Sequence, residues 1–278
     1  MNGEQLFKVN RSCDLQSPSL LVAFKHEMGG VGSGVFDFLN SKSNLECLGE
    51  LRLQSFFTFN GVSVRGDVIQ FPEGRFYAYG EGNMVVFYGD APNREPYEFS
   101  NAILDFAVKY CNAEEMITLG GFISPITHLN PRKVFGTVTQ PELRMFLLPY
   151  DVSVDVDYQT PSQGSWPSLN HFMLWTAKQK DFPGYSIWGE VPFYLAGVGD
   201  PTVVKSLLEV LDKRFALGLN FEELDLEIQK LDEGIEELKG QNHDINRYFQ
   251  LLDQGIALSQ EEGETLSREV AGFLRQNN

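Results

Sequence analysis

Apolar positions along this chain follow two rhythms, and the change between them organises the reading. Up to about residue 218, short apolar runs alternate with stretches of helical periodicity. The runs 20–24, 47–51, 116–119, 134–139 and 185–191 predict strands, because short apolar runs bounded by Gly, Pro or Asn suit a buried sheet. Val35, Phe36, Phe38 and Leu39 predict a helix after the first run, and Phe99, Ile103, Phe106 and Ala107 share one face of a second over 96–110. Further helices are predicted over 167–178 and from Pro201 through 215, the latter with Asp200 as N-cap, and a short one opens at Pro141. Residues 153–158 alternate apolar side chains with Asp. Strands that alternate with helices predict an α/β domain.

Residues 56–90 break that order. The runs 62–65 and 67–71 flank Gly66, and 75–79 and 84–88 flank a Gly-Glu-Gly-Asn turn, so the segment predicts two inserted β-hairpins. Antiparallel strands within an α/β chain predict a mixed sheet. Past Gly218 the period changes. Phe221, Leu224, Ile228, Leu231, Ile235 and Leu238 recur at alternating three- and four-residue steps, with Glu and Asp on the other faces. Two more amphipathic stretches follow, at Ile245, Phe249, Leu252 and Ile256 and at Leu266, Val270 and Leu274. The expected division is an α/β core over 1–218 and an acidic helical appendage over 219–278. The heptad stripe serves either as a coiled-coil seam for a partner or as the buried face of a helix packed on its own domain.

The formal net charge of −16 argues against nucleic acid and anionic membrane surfaces as partners, since both reward Lys and Arg. No apolar run is long enough to span a bilayer, and the first residues show no positive region before an apolar block, so no signal peptide is expected. Cys13, Cys47 and Cys111 are scattered and form no CxxC pair, which fits reduced thiols and a cytoplasmic setting. His26, His128, His171 and His243 lack metal-ligand spacing, so neither a metal nor a cofactor is expected.

Candidate chemistry gathers at three places. Gly29-Gly30-Val31-Gly32-Ser33-Gly34 follows the first strand, but Val35 stands where a dinucleotide fingerprint needs its last Gly, and no Lys follows as a P-loop requires. What remains is either an anion-binding helix start at Gly30, Gly32 and Ser33 or a tight packing turn. Gly120 and Gly121 close the 116–119 run and either shape a cleft floor or turn the chain. Glu190 lies just before Pro192, which should stop its strand. It is either a general base or ribose binder at a strand end or a carboxylate satisfied by N–H groups at a turn. His26, beside Glu27, is the best single acid/base candidate, set against an exposed loop histidine. No G-x-S-x-G nucleophile motif is present.

Three segments together carry a family likeness. They are Leu21, Val22, Ala23 and Phe24 with the Gly29–Gly34 stretch; Ile117, Thr118, Leu119, Gly120 and Gly121 followed by 131–137; and Trp188 to Leu195 followed by Asp200, Pro201 and a Leu-rich helix. In this order the chain resembles the proteasome assembly chaperone family, specifically prokaryotic homologues of the second such chaperone, from about residue 18 to about 240. The resemblance implies a three-layer α/β body similar to nucleoside phosphorylases and related hydrolases, without an established catalytic apparatus. It also implies homo-oligomers, with a trimer among the candidate forms, and proteasome subunits or another protein as partner. Two departures stand out. Residues 273–278 lack the hydrophobic-Tyr-any motif through which some members dock, and Ser165, Trp166 and Pro167 stand where a small Gly-rich loop is usual. The expectation is therefore a non-enzymatic, homo-oligomeric, chaperone-like protein. The alternative is a nucleoside- or nucleotide-binding enzyme, phosphorylase-, hydrolase- or ligase-like. It requires Glu190, His26 and the Gly loop to converge on one open pocket that neither Trp166 nor Trp188 fills.

Overall fold

A computed structural model describes residues 6–154 and 168–277. Nine strands form one mixed sheet in the order β1-β3-β6-β7-β2-β8-β11-β9-β10. Its centre is parallel: β7 (Met84–Gly89), β2 (Ser19–Phe24), β8 (Glu115–Ser124) and β11 (Gly184–Pro192) run in one direction. These strands are apolar almost throughout because helices cover both their faces. The flanks are antiparallel. On one side lie β6 (Gly74–Tyr79), β3 (Glu46–Leu51) and β1 (Phe7–Val9); on the other, β9 (Val134–Val138) pairs against β11 and carries the two-residue β10 (Val152–Ser153). The mixed sheet read from the inserted hairpins is thus observed. The pair β4 (Ser63–Arg65) and β5 (Val68–Gln70) forms a separate two-stranded sheet, joined by a turn in which Gly66 and Asp67 both have positive φ.

Two helices sit on each face. One face carries α1 (Val31–Ser43) and α4 (Pro201–Phe215), packed over Leu21, Ala23, Val86, Ile117 and Ile187. The other carries α2 (Pro96–Cys111) and α3 (Leu169–Gln179), over Leu20, Val22, Phe24, Phe87 and Met116. The three C-terminal helices α5 (Glu222–Gln241), α6 (His243–Asp253) and α7 (Gln260–Asn277) lie outside the α1/α4 layer. Leu224, Ile235, Leu238, Ile245, Phe249, Leu266 and Val270 join the apolar cluster of that layer. The heptad stripe is therefore turned onto its own chain: Leu224, Ile235 and Leu238 are buried, and Phe221 and Leu231 pack against the cluster.

Element boundaries differ from the sequence reading at two glycine clusters. Strand β8 does not close at Gly120 and Gly121 but continues to Ser124, paired with β11 through both glycines. Helix α1 begins at Val31, so Gly32, Ser33 and Gly34 are helical rather than loop. The expected N-cap is observed: the Asp200 carboxylate accepts from Thr202 N–H at 3.0 Å. Residues 155–158 of the alternating 153–158 segment, together with Ser165, Trp166 and Pro167, lie outside the described residues.

Asp200 also holds the deepest ion pair. Its other carboxylate oxygen meets Arg132 Nε at 2.7 Å, with both side chains fully buried. The Arg132 guanidinium donates in addition to the carbonyls of Thr127, His128 and Asn130. Removing one partner from such a pair leaves a buried charge without compensation. Asp200→Ala is expected to lower unfolding free energy by about 3–5 kcal/mol in urea denaturation, and the double variant Asp200→Ala/Arg132→Met to recover part of that loss.

Candidate functional site

The carboxyl ends of β2, β8 and β11 are where an open α/β sheet would receive a ligand, and the chain closes that place with backbone. After β2 the chain turns through Gly29 (φ 67°) and Gly30 (φ 66°) into α1. A side chain is strained at both positions. The turn is tied on each side: Gly29 N–H donates to Ala196 O at 3.0 Å, and Asp200 N–H donates to Gly29 O at 2.8 Å. A methyl at Gly121 would lie 2.6 Å from the Met28 carbonyl oxygen, and one at Gly32 would overlap the Phe24 carbonyl. Gly34 lets α1 cross α4 at Val204. The glycines here serve close approach of neighbouring chain segments.

The remaining sequence candidates separate. Ser33 Oγ is 3.0 Å from the Tyr88 hydroxyl, half-buried between α1 and β7. The Glu190 carboxylate accepts from Ser124 Oγ at 3.0 Å and from Lys133 N–H at 3.2 Å, so it fastens the 124–133 loop to the end of β11. Strand alternation turns Glu190 away from the glycine turn; the residue packed on Gly29 is its neighbour Val191. On Glu190's face, Trp188 is buried against Phe122, Phe135 and the His171 ring. His26 stands in solvent with its side chain 89% exposed, 3.9 Å from Asp90. Glu190, His26 and the glycine turn thus do not share one open pocket. Among the described residues no His, Cys, Asp and Glu cluster could hold a metal ion.

Two features lay outside the sequence reading. The first is Glu27, beside the residue singled out there. Burial pushes its carboxyl up to about 7, against weaker opposing hydrogen bonds from Asn170 and the Met28 backbone. Asn170 is buried on α3; its Nδ2 donates to Glu27 at 3.2 Å and to the Leu119 carbonyl at 2.8 Å, while its Oδ1 has no partner among the described residues. Gly120 makes room for that amide, since a methyl there would lie 2.9 Å from Asn170 Nδ2. The second is a groove of about 740 Å³ on the opposite side of the glycine turn. Gly30 and Asp37 of the body line one wall, and Glu227, Lys230, Leu231 and Arg275 of the C-terminal helices line the other.

The most exposed apolar surface lies elsewhere, on the β4–β5 hairpin. Val64 pairs with Ile69, and alternation places Val62 and Phe71 on the same side. All four are exposed, Phe71 by 66%, and Phe59 beside them by 87%. A two-stranded hairpin is marginal alone in water, and nothing within the described chain covers this face.

A family model described as the PAC2 family matches residues 26–239. An uncharacterised protein of Methanocaldococcus jannaschii is 29% identical over 184 residues, which are 64% of this chain and 67% of that protein. Among solved structures, the Pyrococcus furiosus archaeal proteasome activator PbaB superimposes with a TM-score of 0.69 at 20% identity, covering 84% of this chain and 98% of PbaB. A proteasome-assembly chaperone homologue of Mycobacterium tuberculosis gives 0.67 at 16%, covering 83% and 99%. A second M. tuberculosis protein, of unknown function, gives 0.71 at 16% and covers 100% of this chain and 92% of its own. At these identities the structural matches show a common fold.

Glu27 makes stability depend on pH. Its folded value lies above the ordinary 4.5, so the folded state holds the proton more tightly than the unfolded chain. The stabilising effect of the protonated form is complete below about pH 4.5 and is lost as pH rises through 7. Glu27→Gln is expected to gain roughly 1–3 kcal/mol over the parent above pH 7 and nothing below pH 4.5, in denaturant titrations across that range.

Proposed function

This chain belongs to the PAC2 family, and from that membership we propose that it is a non-enzymatic, homo-oligomeric protein-binding protein of the assembly-chaperone kind. Its partners on this reading are further copies of itself and components of a proteasome-type assembly. The observation that carries the reading is the uncovered apolar face of the β4–β5 hairpin, set beside strand ends where Glu190 and Asp200 are already engaged in structural bonds. Val62, Val64, Ile69 and Phe71 bring four exposed apolar side chains to one face. We assign a second copy as its cover. An uncharged apolar face meets its own twin without leaving any charge unpaired, which is the requirement of an isologous contact. The similarity to PbaB and to the mycobacterial assembly-chaperone homologue supports proteasome components as the other class of partner.

A second reading draws support from Glu27. A half-buried carboxyl pushed up to about 7 beside a buried amide oxygen without a partner among the described residues is an arrangement that small-ligand sites use. It corresponds to the nucleoside- or nucleotide-binding enzyme. A nucleoside or nucleotide that raises the thermal midpoint of the parent but not of Glu27→Gln would favour it.

Size-exclusion chromatography with light scattering tests the first reading. The parent is expected to elute as a multiple of 31.4 kDa. Ile69→Lys/Phe71→Ser is expected to shift it to the monomer while its circular dichroism stays unchanged. A parent that remains monomeric at high concentration, or a double variant that keeps the parent's mass, overturns the assignment of the hairpin to self-association.

A further inference from the structure

The two helices on one face of the sheet rest on it in different ways. Beneath α2 the surface is aromatic: Phe76 stacks on Phe106 with ring centroids 3.8 Å apart, and Phe24 and Phe87 meet Phe99 at 6.2 and 6.1 Å. Beneath α3 the sheet changes character. Thr118, Ser186 and Thr137 stand directly opposite one another across β8, β11 and β9. Alternation turns all three to the α3 side, since their neighbours Ile117, Leu119, Tyr185, Ile187 and Val138 belong to the cluster of the other face. Helix α3 touches the strands on both sides of this row: Asn170 lies over Gly120, and Leu174 and Ala177 lie over Gly184. The row of hydroxyls therefore passes under the middle of the helix and on to β9. Each of the three hydroxyl oxygens is buried without a partner among the described residues, as is Asn170 Oδ1.

The ends of α3 are held unequally. At the C-terminal end, Phe182 packs against the apolar cluster and its N–H donates to the Ala177 carbonyl at 3.0 Å, while Lys180 pairs with Asp105 of α2 at 2.9 Å. Midway, Trp175 meets Tyr97 of α2 at 5.8 Å, with both rings exposed. At the N-terminal end the tie to the sheet runs through one amide, the Asn170 Nδ2 that donates to Leu119 and Glu27.

We propose that α3 is a hinged cover, which swings off the hydroxyl row in the folded protein, pivoting on residues 180–183, while α2 and the sheet stay in place. Closing strips water from three hydroxyls and an amide oxygen and returns no hydrogen bond to them, so desolvation opposes the closed position. The aromatic surface under α2 sets no such opposition. Opening bares Thr118, Ser186 and Thr137 and draws Asn170 away from Glu27. The hinge stands independently of the hairpin contact, and it gives the strand ends an entrance whether or not a small molecule uses it.

The test is hydrogen exchange of the folded, full-length chain, read at the amides of 173–177 in α3 and of 103–107 in α2. The α3 amides are expected to exchange roughly 100-fold faster than those of α2 and to be insensitive to low urea, the mark of a local opening. Thr118→Val/Ser186→Ala removes two of the unpaired hydroxyls and is expected to slow the α3 amides roughly tenfold without changing those of α2. Should the double variant misfold, Thr118→Val alone, which keeps the side chain's shape, is read in the same way. Helices α2 and α3 exchanging together at the rate of global unfolding overturn the hinge. A folded apolar variant whose α3 amides exchange as fast as the parent's, or faster, overturns the hydroxyl row as its cause.

Discussion

The buried ion pair between Arg132 and Asp200 is the constraint on which the rest of this end of the molecule depends. Asp200 binds Arg132 with one carboxylate oxygen, caps α4 with the other, and donates its backbone N–H to the glycine turn. The guanidinium in turn gathers the carbonyls of the 127–130 loop. That loop delivers His128, whose backbone N–H donates to the Tyr194 hydroxyl at 2.6 Å and whose ring meets Phe249 of α6 edge-on. Burying two charges is costly, and the surrounding hydrogen bonds offset the cost only when all of them form together. The pair therefore fixes relative position: turn, loop, α4 and the overlying C-terminal helices are held in one arrangement.

Close approach is the second theme. Gly29, Gly32, Gly34 and Gly121 each stand where a methyl group would press on a neighbouring backbone or Val side chain. A phosphate-binding loop uses glycines to leave its N–H groups open to a ligand. Here the same residue type brings α1 onto the end of β2 and onto α4. Glu190 has undergone a parallel change of employment. A carboxylate at a strand end is placed for catalysis in many α/β enzymes, and here both its oxygens are occupied by Ser124 and Lys133.

Much of the fold was legible because its signals are local. Apolar runs, alternation around Gly66, and an Asp-Pro helix start each reside within a few residues, and each matches an observed element. The differences in element boundaries share one cause. Gly32 and Gly34 lie inside α1 and Gly120 and Gly121 inside β8, and sequence alone cannot distinguish a glycine needed for backbone freedom from one needed for space. The site was far less legible. Glu27 is pushed up by burial, and its hydrogen-bond donor Asn170 lies 143 positions away, so nothing around either residue announces the other.

Helix α7 sits where its position in the chain has a consequence for synthesis. Leu266 and Val270 are fully buried in the cluster of the α1/α4 layer, and Gly263 lies against Phe193 at the end of β11. Every strand of the sheet leaves the ribosome before this helix does. For that interval the nascent body presents the apolar surface around Phe193 and Tyr194 bare to its surroundings. A protein read as a helper of other assemblies would thus pass, during its own birth, through a stage in which it is itself the kind of client that needs shelter.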